Sequence, residues 1–289
     1  YVSSDGTLNS TRYRWNWEKK ANGGLDDDYS RLLALVEALN LPDDTEYTQR
    51  VPEVVDLDGW LRTIATRRVV ADWDGYGYNR GKNTFAYLPP GGRWSLLLWD
   101  LDFSLGGGSD GANTGIYTAN DPVMERMYRN PLFGRVYLQA LADAVRGPLA
   151  PGVADTLMDA NYSASLGNQV QAASPAPIAP WIAARRSFLA RTLSTNTAPW
   201  SVDVPGGGVV TMNQGVVRLT GTSPIEVRWI AVNGFAYTPS WSSTTNWSLA
   251  IPLSAGTNSL VLGGLDRRGS PVVGSVSTVR VVYLSLIHI

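Results

Sequence analysis

The sequence predicts an α+β protein in two parts: a mainly helical first part around one small β-hairpin, then an all-β second part. Three observations support this division. Several stretches before residue 195 carry apolar residues at helical spacing. Among them lie two short apolar runs separated by the turn sequence Pro-Pro-Gly-Gly at residues 89–92. Residues 209–283 consist instead of short β-branched runs between turn signals, which is typical of a small β-sandwich.

The helices of the first part are predicted from their apolar spacing and from their ends. Acidic residues 26–28 precede the first helix, where they cap it and complement its dipole, and Pro42 stops it. Asn130 and Pro131 interrupt a later helical stretch. The predicted helices are residues 29–41, 56–71, 122–146 with a break near 130, 151–160 and 179–193.

The hairpin is predicted from residues 84–88 and 94–101, with the turn at 89–92 between them. Antiparallel pairing would bring Asn83, at one end, close to Asp102, at the other. Because side chains alternate along a strand, Asp100 and Asp102 are expected on the same face.

Three polar residues around this hairpin have the layout of a phosphoryl-transfer site. Asp74 lies in a Gly/Tyr loop, Asn83 opens the first strand and Asp102 ends the second. In such sites one carboxylate orients a hydroxyl, while an amide and a second carboxylate hold magnesium against nucleotide phosphates. Acids beside the apolar residues 96–99 are costly unless their charge is compensated, and bound magnesium would supply that compensation.

Each of these residues also has a plain structural interpretation. Asp74 can cap a turn, Asn83 can be a turn residue, and Asp102 can be an exposed acid at a strand end. Their occurrence together, in this order around a hairpin, favours the functional interpretation. The glycine run 106–108 does not open a helix, so we predict a flexible start to an activation-like loop through Ala119 rather than a phosphate cradle, with a plain linker as the alternative.

Composition excludes several classes of function. The chain has no cysteine, so disulfides, thiolate zinc sites and cysteine nucleophiles are excluded. His288 is the sole histidine, which argues against Ser-His-Asp hydrolases and multi-histidine metal sites. The net charge of −1 does not indicate a nucleic-acid partner. No apolar run reaches the roughly 18 residues that a membrane span needs.

The second part and the chain ends complete the domain prediction. Tyr1 follows no methionine or signal peptide, so we expect the first domain to be N-terminally truncated; residues 284–289 look foreign to the fold. The predicted domains are residues 1–198, an immunoglobulin-like sandwich over 199–283, and a non-native tail over 284–289. The predicted strands of the sandwich are residues 216–220, 225–232, 247–251, 260–262 and 276–283.

Two further groups of side chains are assigned structural roles. The tryptophans are expected in the two cores; they are Trp15, Trp17, Trp60, Trp94, Trp99, Trp229, Trp241 and Trp247. For the last three, an exposed pair that binds glycan is the alternative. The arginine pairs on predicted helices are expected on solvated faces; they are Arg67 with Arg68 and Arg185 with Arg186.

Four short motifs resemble the CotH kinase family, which comprises spore coat protein H and related atypical, secreted or surface-associated protein kinases. The motifs are Trp-Asp-Gly-Tyr at 73–76, Asn-Thr-Phe-Ala-Tyr at 83–87, Gly-Arg-Trp at 92–94 and Trp-Asp-Leu-Asp at 99–102. The resemblance covers roughly residues 1–195. It implies an atypical protein-kinase-like fold for the first part.

The resemblance also implies roles for individual residues. Asp74 stands at the position of the catalytic aspartate, and Asn83 and Asp102 at the positions of the magnesium ligands, with ATP and Mg²⁺ as cofactors. Asp100 is the neighbouring family acid, with a supporting role. Ordinary kinases place the asparagine five residues after the aspartate, so Asn79 is an alternative to Asn83.

Two further elements of the kinase pattern have candidate residues in this sequence. Phe103 matches the phenylalanine of the Asp-Phe-Gly element of ordinary kinases. Lys19 and Lys20 are candidates for the phosphate-binding lysine by their location alone.

These features together predict ATP-dependent phosphoryl transfer to serine or threonine of a surface or coat protein, by an extracellular or cell-surface bacterial kinase. The alternative is a non-catalytic cell-surface or spore-coat structural or adhesion protein with a degenerate kinase-like scaffold. A carbohydrate-active protein using Asp72 and Asp74 ranks last, because no convincing pair of carboxylates spans a sugar cleft.

Overall fold

The computed structural model describes residues 3–7, 13–14, 17–20, 28–78, 81–118, 121–204 and 209–284. Seven helices and ten strands lie within these residues, and the helices all precede residue 195, as an α+β fold requires. The helices are α1 (Ser30–Leu39), α2 (Asp44–Val54), α3 (Leu57–Val69), α4 (Pro122–Arg129), α5 (Pro131–Arg146), α6 (Val153–Gly167) and α7 (Ile178–Ser194). The strands are β1 (Thr84–Tyr87), β2 (Ser95–Leu98), β3 (Val209–Met212), β4 (Val216–Thr222), β5 (Trp229–Val232), β6 (Phe235–Tyr237), β7 (Ser240–Trp241), β8 (Asn246–Pro252), β9 (Gly256–Leu265) and β10 (Pro271–Tyr283).

The helix ends follow local chemistry. The predicted break at residue 130 is confirmed: Asn130 ends α4 and caps α5, and its Oδ1 accepts the N–H groups of Leu132 (3.1 Å) and Phe133 (3.2 Å). Pro131 follows at the first helical position, where a missing N–H costs nothing. Of the acids predicted to cap α1, Asp28 accepts the N–H of Ser30 at 3.0 Å, and residues 26–27 lie outside the described residues.

Helix α2 was not predicted, because its sequence lacks a broad apolar face. It buries Tyr47 and Val51 and contains Pro52. Its start is nevertheless well specified, since Asp43 accepts the N–H of Glu46 at 2.8 Å. Tertiary packing, and not helical periodicity, decides this element.

The first core forms where α5 packs against α3 and α7, and the hairpin rests on α3. Phe133, Tyr137 and Leu141 of α5 are fully buried, and Trp60 of α3 is 1% exposed. Leu96 of β2 belongs to the same core. This packing places the open end of the hairpin beside the loop that follows α3.

The hairpin β1–β2 is confirmed, but its second strand ends earlier than predicted. Thr84 pairs with Leu98, and the ladder stops there. Asn83 and Asp100 both have positive φ, of 53° and 54°. The expected alternation of Asp100 and Asp102 along one strand is therefore wrong, because the backbone leaves the extended region before either residue.

The all-β part contains two sheets around a second core. One sheet has the order β3-β10-β9-β5-β6 and the other β4-β8-β7. Every pairing is antiparallel except that of β3 with β10. Trp247, the largest buried side chain of this core, is 2% exposed. This architecture is consistent with an immunoglobulin-like β-sandwich, while the predicted boundary at residue 198 stays a prediction.

Four of the five predicted strands of this part are longer in the structure than predicted, and one is shorter. The predicted turn at 233–234 joins β5 to β6, and Asn233 and Gly234 both have positive φ, as a type I′ turn requires. The predicted strand 225–232 begins only at Trp229, because Ile225 packs into the first core instead. The short strands β3, β6 and β7 were not predicted.

A polar interface joins the two parts. Arg135 of α5, which is 2% exposed, donates to the carbonyl oxygens of Val227 (2.5 Å), Pro224 (2.6 Å) and Thr244 (2.5 Å), and to Ser223 Oγ (3.1 Å). A buried guanidinium with this many acceptors replaces the water it has lost. The sandwich is thereby held against α5.

The predictions for arginine and tryptophan side chains are partly wrong. Arg67, Arg68 and Arg185 are buried and not solvated, because their guanidinium groups donate to backbone carbonyl oxygens of neighbouring loops; Arg186 is half-buried. Trp99 is 59% exposed and lies outside the core. The other tryptophans are buried (Trp60, Trp247), half-buried (Trp17, Trp94, Trp229, Trp241) or outside the described residues (Trp15).

Candidate functional site

The loop after α3 is held by a buried ion pair. Asp72 is fully buried, and its Oδ2 accepts a hydrogen bond from Nη1 of Arg67, the third residue from the end of α3. Its Oδ1 accepts the backbone N–H of Asp74 at 3.1 Å. Asp72 therefore fixes the backbone of Asp74. Because its carboxylate is occupied in this way, Asp72 offers no support for a pair of sugar-cleaving acids.

The structure brings Asp74 and Asn83 into direct contact. Asp74 is 6% exposed. Nδ2 of Asn83 donates to Oδ2 of Asp74 (3.1 Å) and to its carbonyl oxygen (2.5 Å). Because the amide nitrogen is used in this way, the amide oxygen of Asn83 is the atom available to a cation.

The second carboxylate oxygen of Asp74 faces a lysine. Nζ of Lys82 lies 2.6 Å from Oδ1 of Asp74, and the Lys82 side chain is 49% exposed. One oxygen of Asp74 is thus held by a fixed amide and the other by a flexible ammonium group at the surface.

Asp100 and Asp102 lie exposed just after the second strand of the hairpin, and Asp100 is in electrostatic contact with Asp102, Asp74 and Asp72. The pKa of Asp100 is raised, first by the negative charge of Asp102, then by a small loss of solvation and a hydrogen bond with Asp102, and further by the charges of Asp74 and Asp72. Repulsion between like charges favours protonation, and a divalent cation would relieve it.

The donor set at this end of the hairpin fits magnesium. Asn83 offers an amide oxygen and Asp100 and Asp102 offer carboxylate oxygens, which are the hard ligands that Mg²⁺ prefers. Within the described part of the chain, no three Asp, Glu or His side chains form a complete metal site by themselves. Magnesium in phosphoryl-transfer sites needs only one or two carboxylates, since phosphates and water complete its octahedron.

The remaining site predictions have mixed outcomes. Asn79 lies outside the described residues. Phe103 packs on Trp73, with ring centroids 5.5 Å apart. Gly106 and Gly108 lie tightly against Trp181 and Trp73, since a Cβ would come within 2.9 Å and 2.6 Å of these rings. The glycine run is therefore a close-packed segment and not the free, flexible start of a loop.

Buried arginines also hold the loop that follows the glycine run. Nη1 of Arg185 donates to the carbonyl oxygens of Ala112 (3.0 Å) and Thr114 (2.5 Å), and Nη2 of Arg68 donates to that of Gly115 (2.5 Å). These hydrogen bonds hold the backbone of residues 112–115 in place. Ala119, the predicted end of the loop, lies outside the described residues.

Sequence reasoning did not assign Arg67 or Lys82 to the site, and it named Asp72 only as a candidate sugar-cleaving acid. The lysine candidates named from the sequence lie elsewhere: Nζ of Lys19 sits 4.7 Å from the centre of the Tyr29 ring, and Lys20 pairs with Glu18 at 2.7 Å. A usable signal was present for Lys82, which directly precedes Asn83. Arg67 could not be found in this way, because its partners are mainly backbone atoms of distant segments.

The contact between Gly75 and Arg67 yields a testable prediction. A Cβ at residue 75 would lie 2.6 Å from Cζ of Arg67, so we expect Gly75→Ala to displace the guanidinium and to lower the free energy of unfolding by about 1–3 kcal/mol. Urea denaturation measures this change. Gly81→Ala is the matched control, since nothing lies within 4 Å of its Cβ position. Equal stability of the two variants would contradict the packing described.

Comparison with known proteins identifies the family. The family model of the CotH kinase protein matches residues 4–172, which include α1 to α6, the hairpin and all the candidate site residues. The chain belongs to the CotH kinase protein family. Membership places it among CotH-type kinase or spore-coat-related proteins. No curated protein matches the chain.

Among solved structures, the chain is similar to the fibronectin(III)-like modules of CbhA from Clostridium thermocellum. The identity is 11%, the match covers 30% of this chain and 96% of that one, and the TM-score is 0.23. A likeness of this size carries no inference about function. No helix in the described part of this CotH family member is long and apolar enough to cross a membrane.

Proposed function

We propose that this CotH family member is a protein kinase that transfers the γ-phosphoryl group of ATP to a serine or threonine hydroxyl of a protein substrate. The observation that carries the proposal is the contact between Asp74 and Asn83 at the end of a hairpin that also presents Asp100 and Asp102. Family membership supports the reaction type.

Each residue has a role that its surroundings support. Oδ1 of Asp74 accepts the hydrogen of the substrate hydroxyl in place of Lys82, whose half-exposed side chain can move aside. The hydroxyl oxygen then forms a bond to the γ-phosphorus, the bond to the β,γ-bridging oxygen breaks, ADP leaves and the hydroxyl proton passes to Asp74. The amide of Asn83 keeps Asp74 oriented throughout.

Asn83 and Asp102 would hold magnesium, with Asp100 beside them. Bound magnesium supplies neutralisation of charge on the β- and γ-phosphates. Exposure of Asp100 and Asp102 leaves room for a nucleotide to approach. The work of the protein is then mostly positioning and electrostatic stabilisation.

The substrate and location extend the same proposal. Because the family includes spore-coat-related proteins, we expect the substrate to be a serine- or threonine-containing surface or coat protein of a bacterium, and the kinase to act outside the cell or at its surface. The β-sandwich, held against α5, would move with the kinase-like part as one unit.

Asp102→Asn tests the proposal. We expect Mg²⁺ with ATP to raise the Tm of the natural sequence, because a ligand bound only by the folded state stabilises it by about 2.7 kcal/mol at 100 times its Kd. Asp102→Asn should lose this shift and the incorporation of labelled phosphate. Asp159→Asn, an exposed acid on α6, is the control and should retain both. An unchanged shift and unchanged incorporation in Asp102→Asn would refute the assignment.

A second candidate function is a non-catalytic coat or adhesion protein. One observation favours it: both carboxylate oxygens of Asp74 already have partners, Lys82 and Asn83, as in a purely structural loop. This candidate predicts that Mg²⁺ with ATP leaves the Tm of the natural sequence unchanged. The same thermal measurement therefore separates the two functions.

A further inference from the structure

Arg67 contacts three separate segments of the site with a single guanidinium group. The residue is 1% exposed. Its Nη1 donates to Oδ2 of Asp72, and its Nη2 donates to the carbonyl oxygens of Asn83 and Trp99, the latter at 2.7 Å. These partners lie 5, 16 and 32 residues further along the chain. No single secondary-structure element could hold the three segments together.

Each contact fixes one functional group of the site. Asp72 in turn accepts the backbone N–H of Asp74 (3.1 Å), so Arg67 positions the proposed base through Asp72. The carbonyl bond to Asn83 holds the residue whose amide contacts Asp74. The carbonyl bond to Trp99 holds the residue directly before Asp100. One guanidinium therefore sets the separation between the base and the acids at the hairpin end.

The bonds to Arg67 begin where the hairpin ladder ends. The last pair of the β1–β2 ladder is Thr84 with Leu98. The next two carbonyl oxygens, of Asn83 and Trp99, are bonded by Arg67. These bonds pair two part-buried carbonyl oxygens at the point where Asn83 and Asp100 adopt positive φ.

An arginine is needed for this geometry. Guanidinium offers five donors in a rigid planar fork, whereas the ammonium group of lysine is a compact point charge on a flexible stem. Gly75 lies against the guanidinium, and any Cβ there would overlap it. The space beside Gly75 is therefore filled by the guanidinium group of Arg67.

We propose that Arg67 is the positioning residue that sets the distance between Asp74 and the magnesium-binding end of the hairpin. This role rests on the proposed kinase function. Arg67 touches no substrate; it acts through Asp72 and through the carbonyl oxygens of Asn83 and Trp99. Its loss therefore changes the response to magnesium and the local order of the site, in addition to lowering the stability of the fold.

Arg67→Lys tests the role, since lysine keeps the charge opposite Asp72 but cannot reach all three partners. We expect the magnesium concentration for half-maximal phosphotransfer to rise at least tenfold. Hydrogen exchange at residues 72–76 and 99–102 should accelerate at least tenfold more than exchange in α5, which reports the loss of global stability. Arg68→Lys is the matched control, since Arg68 is equally buried but bonds Gly115, and both readouts should stay within twofold.

The outcomes separate this inference from the proposed function. A folded Arg67→Lys variant with unchanged magnesium response and unchanged exchange overturns the role of Arg67, as does an equal change in Arg68→Lys. If Arg67→Lys does not fold, the double variant Arg67→Met with Asp72→Asn removes both buried charges and is expected to show the same two changes. If the natural sequence transfers no phosphate, the kinase proposal fails, and the exchange measurement still decides whether Arg67 positions the loop and the hairpin.

Discussion

Asp74→Asn is expected to lower the kcat of phosphotransfer by about 10²–10⁴-fold, the usual contribution of a positioned proton acceptor. Asparagine keeps the shape of the side chain and an oxygen to accept from Nδ2 of Asn83, so the loop stays in place. It removes the charge that faces Lys82. Since that lysine is 49% exposed, the lost ion pair costs at most about 1 kcal/mol of stability.

Labelled ATP and a saturating protein substrate measure this change in kcat. The Tm shift produced by Mg²⁺ with ATP should survive in Asp74→Asn, because Asp74 is not one of the proposed metal ligands. This combination distinguishes loss of the proton acceptor from loss of nucleotide binding. Retention of more than a tenth of the natural rate would show that Asp74 is not the acceptor.

Arg135→Met is expected to lower the free energy of unfolding by about 3–5 kcal/mol, because each buried carbonyl oxygen that loses its donor costs about 1–3 kcal/mol. Methionine leaves the carbonyl oxygens of Val227, Pro224 and Thr244 without their donor in a buried interface. It also removes the guanidinium that stacks 3.6 Å from the centre of the Trp241 ring. Burial lowers the pKa of Arg135 to about 9, which still leaves it protonated at neutral pH.

Urea denaturation followed by tryptophan fluorescence measures this loss. We also expect a single transition to split into two, because Arg135 couples the helical part to the sandwich. Arg218→Met on β4 is the control; Arg218 is exposed, so its replacement should change stability by less than about 0.5 kcal/mol. A loss of under 1 kcal/mol in Arg135→Met would mean that the interface does not depend on this residue.

The hairpin shows how far local sequence signals reach. Its turn at 89–92 and its pairing were predicted, since glycine and proline punctuate two apolar runs. The end of its second strand was not, because residues 99–102 are extended in propensity but leave the ladder to meet Arg67. A local pattern identifies an element, and a distant donor decides where it stops.

The buried arginines are a case in which residue types and spacing gave the wrong prediction. On a helix, Arg67 and Arg68 look like solvated surface, since arginine is rarely buried without partners. Their partners are chiefly carbonyl oxygens of loops 16 to 47 residues away, such as those of Asn83 and Gly115. Every residue has a backbone carbonyl oxygen, so the side-chain types in a sequence do not show which of these oxygens will accept from a buried arginine.

Residue types and their spacing alone established the division into a helical and an all-β part, the hairpin, the helix break at Asn130 and the family motifs around Asp74, Asn83 and Asp102. Those features depend on periodicity, caps and turns, which act over a few residues. The tertiary structure alone decided that Asp72 is a buried anchor, that Lys82 faces Asp74 and that Arg67 joins the loop to the hairpin. These arrangements depend on which distant backbone groups meet a buried charge, and only the packed chain determines that.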